Sequence, residues 1–195
     1  IAVNIVGGTT IGGDGVTFRS VSANGAPSGI LLANTGTTGG FTVTGVATTD
    51  ESGGVIDNTT GDAVVLDQVD SLTLRNMRLG ESTTAQGDAP DSNIAIAGDA
   101  IDITDSSNLV FTNLRIADTS GDGIKGTGVT NLTLCDSEMF IVELAAALDE
   151  SALAFGEATR QRGQTRIWSA LSRSRTRFST VCGSAGCTST TRLAA

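Results

Sequence analysis

The chain has 195 residues, a formal net charge of −9, 25 glycines and only 17% charged residues, with no histidine and no tyrosine. The lack of histidine excludes histidine-based catalysis and disfavours a zinc site at the three cysteines, Cys135, Cys182 and Cys187. An acidic chain repels phosphates, which disfavours nucleic acid as a partner. The longest apolar stretch is short and interrupted by acids, so we expect no membrane insertion.

A short strand template recurs in chain order. It fits residues 16–23, 41–48, 61–79, 98–116 and 120–139. The last two copies align with a constant offset of 23 residues. Each full copy contains three apolar pairs with one residue between the members, which is the periodicity of strands. No copy could bury its own apolar face, so we expect the copies to stack as parallel strands around one core. The positions predicted to point inward are Val64, Leu66, Leu72, Leu74, Ile101, Ile103, Leu109, Phe111, Leu114, Ile116, Ile124, Leu132 and Leu134.

One bend separates the second and third strands of every copy. Its column contains Ser20, Gly45, Asn76, Asn113 and Asp136. Glycine, asparagine and aspartate tolerate the left-handed backbone conformation that a sharp corner needs. Stacked asparagines can also hydrogen-bond along the stack. The alternative is that these are ordinary surface-turn residues.

The repeated segments resemble a known architecture. The motifs "NGAPSGILLANTGTTGGFTVTG" and "SGDGIKGTGVTNLTL" and the recurring "SLTL", "NLVF" and "NLTL" are similar to those of the right-handed parallel β-helix, the pectate-lyase-like fold. Within it, the chain looks like the β-strand-repeat segments of large bacterial surface or secreted proteins. The resemblance covers roughly residues 10–139 and implies an all-β solenoid of about five coils, each with three short strands. It implies little about function, because this fold carries many activities.

A column of aspartates precedes the first strand of three copies. Asp62, Asp99 and Asp122 stand in equivalent positions, and stacking would place them about 4.8 Å apart. Like charges so close repel one another, and a calcium ion with oxygen ligands would relieve the repulsion. Alternatively, each aspartate caps its own turn through backbone N–H groups. The sequence leaves both readings open, and calcium is the one cofactor it suggests.

A glycan-cleaving enzyme is the second functional alternative. "SGDGIKG" is similar to a segment of the polygalacturonases, which pair carboxylates for acid–base hydrolysis. Asp122 matches the first acid, but Gly123 occupies the position of the second. Pectate lyases use an arginine base, and Lys125 and Arg115 are the nearby basic candidates, outside any recognisable motif. We therefore assign no catalytic residue.

One long excursion interrupts the template at residues 80–98, between the third strand of one copy and the first strand of the next. In pectate-lyase-like proteins, loops on that side form the wall of the ligand groove. This loop offers Asp88 and Asp91 but no aromatic platform for a sugar ring. It is either such a wall or a tolerated insertion.

The pattern changes after residue 139. Residues 1–157 hold all 21 acidic and 5 basic residues, whereas residues 158–195 hold seven arginines and no acid. Helical spacing predicts a helix or cap at 140–160, followed by a basic irregular tail at 161–195. A second hypothesis is that the coding frame is shifted from about residue 138, so that the tail has no selected function.

Three domains and one function follow. We expect parallel β-helix coils over 1–139, a helix or cap over 140–160 and the tail over 161–195. The favoured function is a non-catalytic structural or adhesive module of a secreted or cell-surface bacterial protein, with cell-surface glycans or neighbouring repeats as partners. The alternatives are a carbohydrate-binding or glycan-cleaving enzyme and a calcium-dependent folding module. Because solenoid ends need covers, we expect the chain to be a piece of something longer.

Overall fold

The structure is a computed structural model that describes residues 1–7, 11–81, 95–140, 153–155, 176–183 and 186–193. Within these ranges all regular secondary structure is strand, and no helix is present. The seventeen strands in chain order are β1 Val3–Ile5, β2 Val16–Phe18, β3 Ala23–Asn24, β4 Ile30–Thr35, β5 Phe41–Val43, β6 Gly54–Asp57, β7 Val64–Arg75, β8 Met77–Leu79, β9 Ile101–Thr104, β10 Ser107–Thr112, β11 Arg115–Ala117, β12 Ile124–Thr127, β13 Thr130–Cys135, β14 Ser137–Phe140, β15 Leu153–Phe155, β16 Thr176–Gly183 and β17 Gly186–Leu193.

The strands belong to three ladders that the chain visits in a fixed order. Ladder A runs β1-β4-β7-β9-β12-β15, and ladder B runs β2-β5-β7-β10-β13. Ladder C begins β3-β6-β8-β11-β14. The long β7 belongs to both A and B and joins them into one sheet of ten strands. Every pair named here is parallel. We call one passage through A, B and C a repeat, so repeats 1 to 5 end with β3, β6, β8, β11 and β14.

The register of the ladders agrees with the alignment predicted from the sequence. In ladder B, Leu109 pairs with Leu72 on one side and with Leu132, 23 residues further on, on the other. Phe41 pairs with Leu72 and Val16 with Phe41. Period-two alternation therefore fixes the register here, because a slip of one residue would turn every apolar side chain outward.

The core lies on the inner faces of the three ladders. Of the thirteen positions predicted to point inward, eleven are at most 1% exposed, and Leu132 and Leu134 are partly buried against the same core. These two lie in β13, the last described strand of ladder B, which explains their exposure. Each fully buried leucine, isoleucine or phenylalanine stabilises the fold by about 1.5–3 kcal/mol relative to an exposed one. Leu109 and Phe111 share the inner face, as predicted.

The predicted bend column adopts the left-handed conformation at four of its five positions. Gly45, Asn76, Asn113 and Asp136 have φ between 49° and 61°, whereas Ser20 does not have positive φ. A further column, between the A and B strands, was not predicted. Its members, with φ between 44° and 67°, are Asn34, Gln68, Asp105 and Gly128.

Side-chain amides link neighbouring repeats. Asn113 Nδ2 donates to Asn76 Oδ1 at 2.8 Å, so the predicted asparagine ladder is present across this step. A second ladder lies at the start of the B strands, where Asn131 donates to Asn108 and Asn108 donates to Asp70. These hydrogen bonds, together with one from Ser107, hold the pKa of Asp70 below its ordinary value.

The C-terminal segment differs from the expectation wherever the structure describes it. Of residues 140–160, predicted as a helix or cap, Phe140 ends β14, and Leu153–Phe155 form β15, which pairs in parallel with β12. Residues 141–152 and 156–160 lie outside the described residues. Within the tail predicted to be irregular, β16 and β17 pair antiparallel, and β16 pairs antiparallel with β14. Cys135 in β13 is buried and disulfide-bonded, which the sequence did not indicate.

Candidate functional site

The three predicted aspartates stand in one column at the start of ladder A. Val64, Ile101 and Ile124 are in register, and each aspartate lies two residues before its strand. The alignment made from the sequence therefore places Asp62, Asp99 and Asp122 correctly relative to one another. The column is where the sequence located its only candidate ligand set, so its hydrogen bonds decide what these carboxylates do.

Each carboxylate caps the following repeat. Asp62 Oδ1 accepts the backbone N–H of Asp99 at 2.7 Å, and Asp99 Oδ1 accepts the backbone N–H of Asp122 at 2.7 Å. The sequence allowed for an aspartate that caps its own turn, and the geometry instead joins two repeats 37 or 23 residues apart. A hydrogen bond to a charged acceptor contributes about 1.5–3 kcal/mol, so the column is a structural link between repeats.

The glycine before each aspartate makes room for this link. A Cβ atom on Gly98 would lie 2.2 Å from Asp62 Oδ1, and one on Gly121 would lie 2.3 Å from Asp99 Oδ1. Real Cβ atoms do not approach so closely, and in both cases backbone atoms stand within 3.0 Å as well. The Gly-Asp pair is thus one unit, in which the glycine lets the backbone approach and the aspartate accepts the next N–H group. The repeated pair was visible in the sequence, but its purpose was not.

A lysine and a further acid lie beside the column. Lys125 Nζ is 3.0 Å from Asp99 Oδ2, and this hydrogen bond, with the charge of Asp99, raises the pKa of Lys125. Partial burial raises the pKa of Asp102, the charges of Asp62 and Asp99 raise it further, and Lys125 opposes the shift. Because the lysine is half exposed, its ion pair contributes at most about 1 kcal/mol. Asp102 and its raised pKa were missed by the sequence analysis.

The present partners of these oxygens do not favour a calcium ion. Asp62 and Asp99 each use one oxygen for a backbone N–H group, and the second oxygen of Asp99 faces Lys125. Over the ranges that the structure describes, no three histidine, cysteine, aspartate or glutamate residues come together as a metal-binding group. A calcium ion would have to replace existing hydrogen bonds, so calcium binding by the column stays a prediction.

The residues considered for glycan cleavage are not assembled into one site. Gly123 is buried beside Asp122, as the sequence requires. Lys125 lies in β12 of ladder A, whereas Arg115 lies in β11 of ladder C. Asp88 and Asp91 of the excursion lie outside the described residues.

A cluster on the outer side of ladder C was not predicted. Arg78 is paired with Glu51 at 3.3 Å and with Asp57 at 3.9 Å, and it donates to the carbonyl of Gly80 at 2.7 Å. The side chain of Arg78 is only 12% exposed. These contacts tie the loop before β6 to the end of β8, so the cluster is structural.

Comparisons of the chain with protein-family models, with curated proteins and with solved structures found no significant match. In the described ranges, no helix is long and apolar enough to cross a membrane. The geometry of the column therefore provides the strongest guide to function.

Proposed function

We propose that the chain is a right-handed parallel β-helix and that it serves as a non-catalytic structural or adhesive module of a secreted or cell-surface bacterial protein. The fold proposal is supported by the fixed order of ladders A, B and C and by the parallel register between successive repeats. A chain that returns to the same three ladders in the same order is compatible with a solenoid, in which each repeat contacts its neighbours.

The Gly-Asp column is the observation that carries the functional proposal. The sequence offered Asp62, Asp99 and Asp122 as ligands or acids, yet two of these carboxylates cap backbone N–H groups of the next repeat. A catalytic acid or base needs a pKa suited to proton transfer and access to substrate. Groups held in hydrogen bonds between repeats serve the stack instead, as expected of a scaffold.

The partners proposed for this scaffold are cell-surface glycans or neighbouring repeats of the same kind. Nucleic acid is disfavoured because residues 1–157 carry 21 acidic and only 5 basic residues. A glycan-cleaving activity would need Asp122 to act without a second acid, since Gly123 occupies that position. A calcium-dependent folding module would need the column to exchange its present hydrogen bonds for the ion.

One experiment separates these three functions. The purified chain is incubated with polygalacturonate and related acidic glycans, with calcium or with a chelator, and the products are measured as reducing ends and as unsaturated sugars. We expect no turnover under either condition. Turnover that disappears in Asp122→Asn would establish an enzyme, and urea unfolding that shifts with calcium and loses the shift in Asp99→Asn would establish the calcium module.

A further inference from the structure

The end of the stack formed by repeat 1 leaves apolar core positions uncovered. Phe18 belongs to the inner column of ladder B with Val43, Leu74 and Phe111, which are at most 1% exposed, yet Phe18 itself is 38% exposed. Ile1 is 48% exposed at the same end. Four further apolar residues of β1, β2 and β3 are only partly buried against the core, namely Val3, Ile5, Val16 and Ala23.

The three strands of repeat 1 are also edge strands. Among the described residues, β1 pairs only with β4, β2 only with β5 and β3 only with β6. The free side of such a strand is a row of N–H and C=O groups that can pair with another chain, and proteins usually protect it with lysine, proline or a bulge. The sequences of the three strands are VNI, VTF and AN. None contains a charged residue or a proline.

Charge distinguishes this end from the rest of the chain. Residues 1–49 contain one acid, Asp14, and one base, Arg19, whereas residues 50–157 contain 20 acids and 4 bases, a balance of −16. Two copies that meet through their acidic parts would repel each other. Two copies that meet through repeat 1 would bring together two nearly neutral surfaces and keep the acidic parts far apart.

We propose that the end formed by β1, β2 and β3 is a dimer interface, at which a second copy of this chain docks through the same end. The second copy would cover Phe18 and Ile1 as repeat 2 covers the other side of these strands. A head-to-tail arrangement is less suitable, since ladder C continues beyond β14 with β16 and β17 in antiparallel pairing. A two-fold contact between like ends closes on itself and gives a dimer instead of a filament.

The strands would pair antiparallel across the interface, because a two-fold axis reverses their direction. Antiparallel pairing suits short strands, since its hydrogen bonds run perpendicular to the chain. The ring of Phe18 already lies 5.6 Å from the ring of Phe41. The dimer would therefore place the two Phe18 rings at the centre of a continuous apolar column.

The test measures mass by light scattering during gel filtration over a wide concentration range. We expect the wild-type chain of 19.7 kDa to reach twice its monomer mass. Phe18→Lys and Phe18→Asp should each remain monomeric, because like charges would face each other, and an equal mixture of the two should form the dimer again. Val46→Lys is the matched control, since Val46 is also 38% exposed but lies in the loop between β5 and β6.

Hydrogen exchange of the wild-type chain tests the same interface without a variant. Amides of residues 1–24 should gain protection as concentration rises, while those of β9 to β13 should not change. A wild-type monomer at every concentration would overturn the proposal. So would a dimer that Phe18→Lys leaves intact, a dimer that Val46→Lys also abolishes, or protection gained outside repeat 1.

Discussion

Replacing Asp99 should separate the capping role of the column from a metal-binding role. Asp99 is 8% exposed, and its Oδ1 accepts the N–H of Asp122 at 2.7 Å. Asp99→Ala leaves this N–H without its partner, which costs about 1–3 kcal/mol. The lower half of that range is expected, because the Asp122 backbone is only partly buried and water can reach it. The exposed ion pair with Lys125 adds little.

Asp99→Asn is the matched control because an amide oxygen can still accept the same N–H group. We expect it to cost less than about 1 kcal/mol, with only the charge lost. The free energy of unfolding is measured in urea for both variants, once with calcium and once with a chelator. Equal losses in the two variants, or a calcium-dependent stability that only the wild type retains, would refute the capping interpretation.

Three further outcomes are expected. Leu109→Ala should destabilise the fold by about 2–5 kcal/mol in urea unfolding, because its neighbours in ladder B are held in register and cannot close the cavity; a loss below 1 kcal/mol would contradict the packed core. Asn113→Val should cost about 1–3 kcal/mol at φ 52°, and Asn113→Gly should cost less, since glycine loses the amide but not the backbone conformation; equal losses would remove the strain argument. The raised pKa of Asp102 means that the folded state holds this proton to a higher pH than the unfolded state, so the wild type loses stability as pH rises from the ordinary pKa through the raised one. Asp102→Asn should therefore be more stable than the wild type at neutral pH and lose this advantage in acid, and a constant difference across pH would contradict the assignment.

The core and its register could be predicted because alternation is a local property. Leu109 and Phe111 are apolar, two residues apart and flanked by polar residues, so only one face of the strand can be buried. The corners were predictable where the residue type carries a preference, as at Asn76 and Asn113. Gln68 and Ser71 also have positive φ, but neither residue type signals it.

The chemistry of the aspartate column could not be predicted from spacing alone. A calcium ligand, a cap of its own turn and a cap of the next repeat all require an aspartate in the same position. They differ only in the direction in which the carboxylate points, which is set by the backbone of another repeat. The Cβ position of Gly98 near Asp62 Oδ1 decides that direction, and no local pattern contains it.

The helix predicted at 140–160 was wrong for its last described residues for a related reason. Leu153 and Phe155 fit a helical face and a strand equally well over so short a stretch. The free edge of β12 favours the strand, and Gly126 leaves the space that the ring of Phe155 occupies, since a Cβ there would lie 2.4 Å from the ring. Whether the coding frame shifts near residue 138 remains a prediction for the neighbouring reading frames.

The link between Gly98-Asp99 and Gly121-Asp122 makes the segment 98–120 an interchangeable building unit. An in-frame duplication of these 23 residues would give the new copy an aspartate whose N–H is received by the preceding carboxylate and whose own carboxylate receives the next N–H, so no bond of the column would lack a partner. The inserted isoleucines would lie between Ile101 and Ile124 in the same column. Each duplication would lengthen the rod by about 4.8 Å without altering either flank. A gene for such a protein can therefore change the reach of its product by copying a single short segment, while the surfaces at the two ends stay the same.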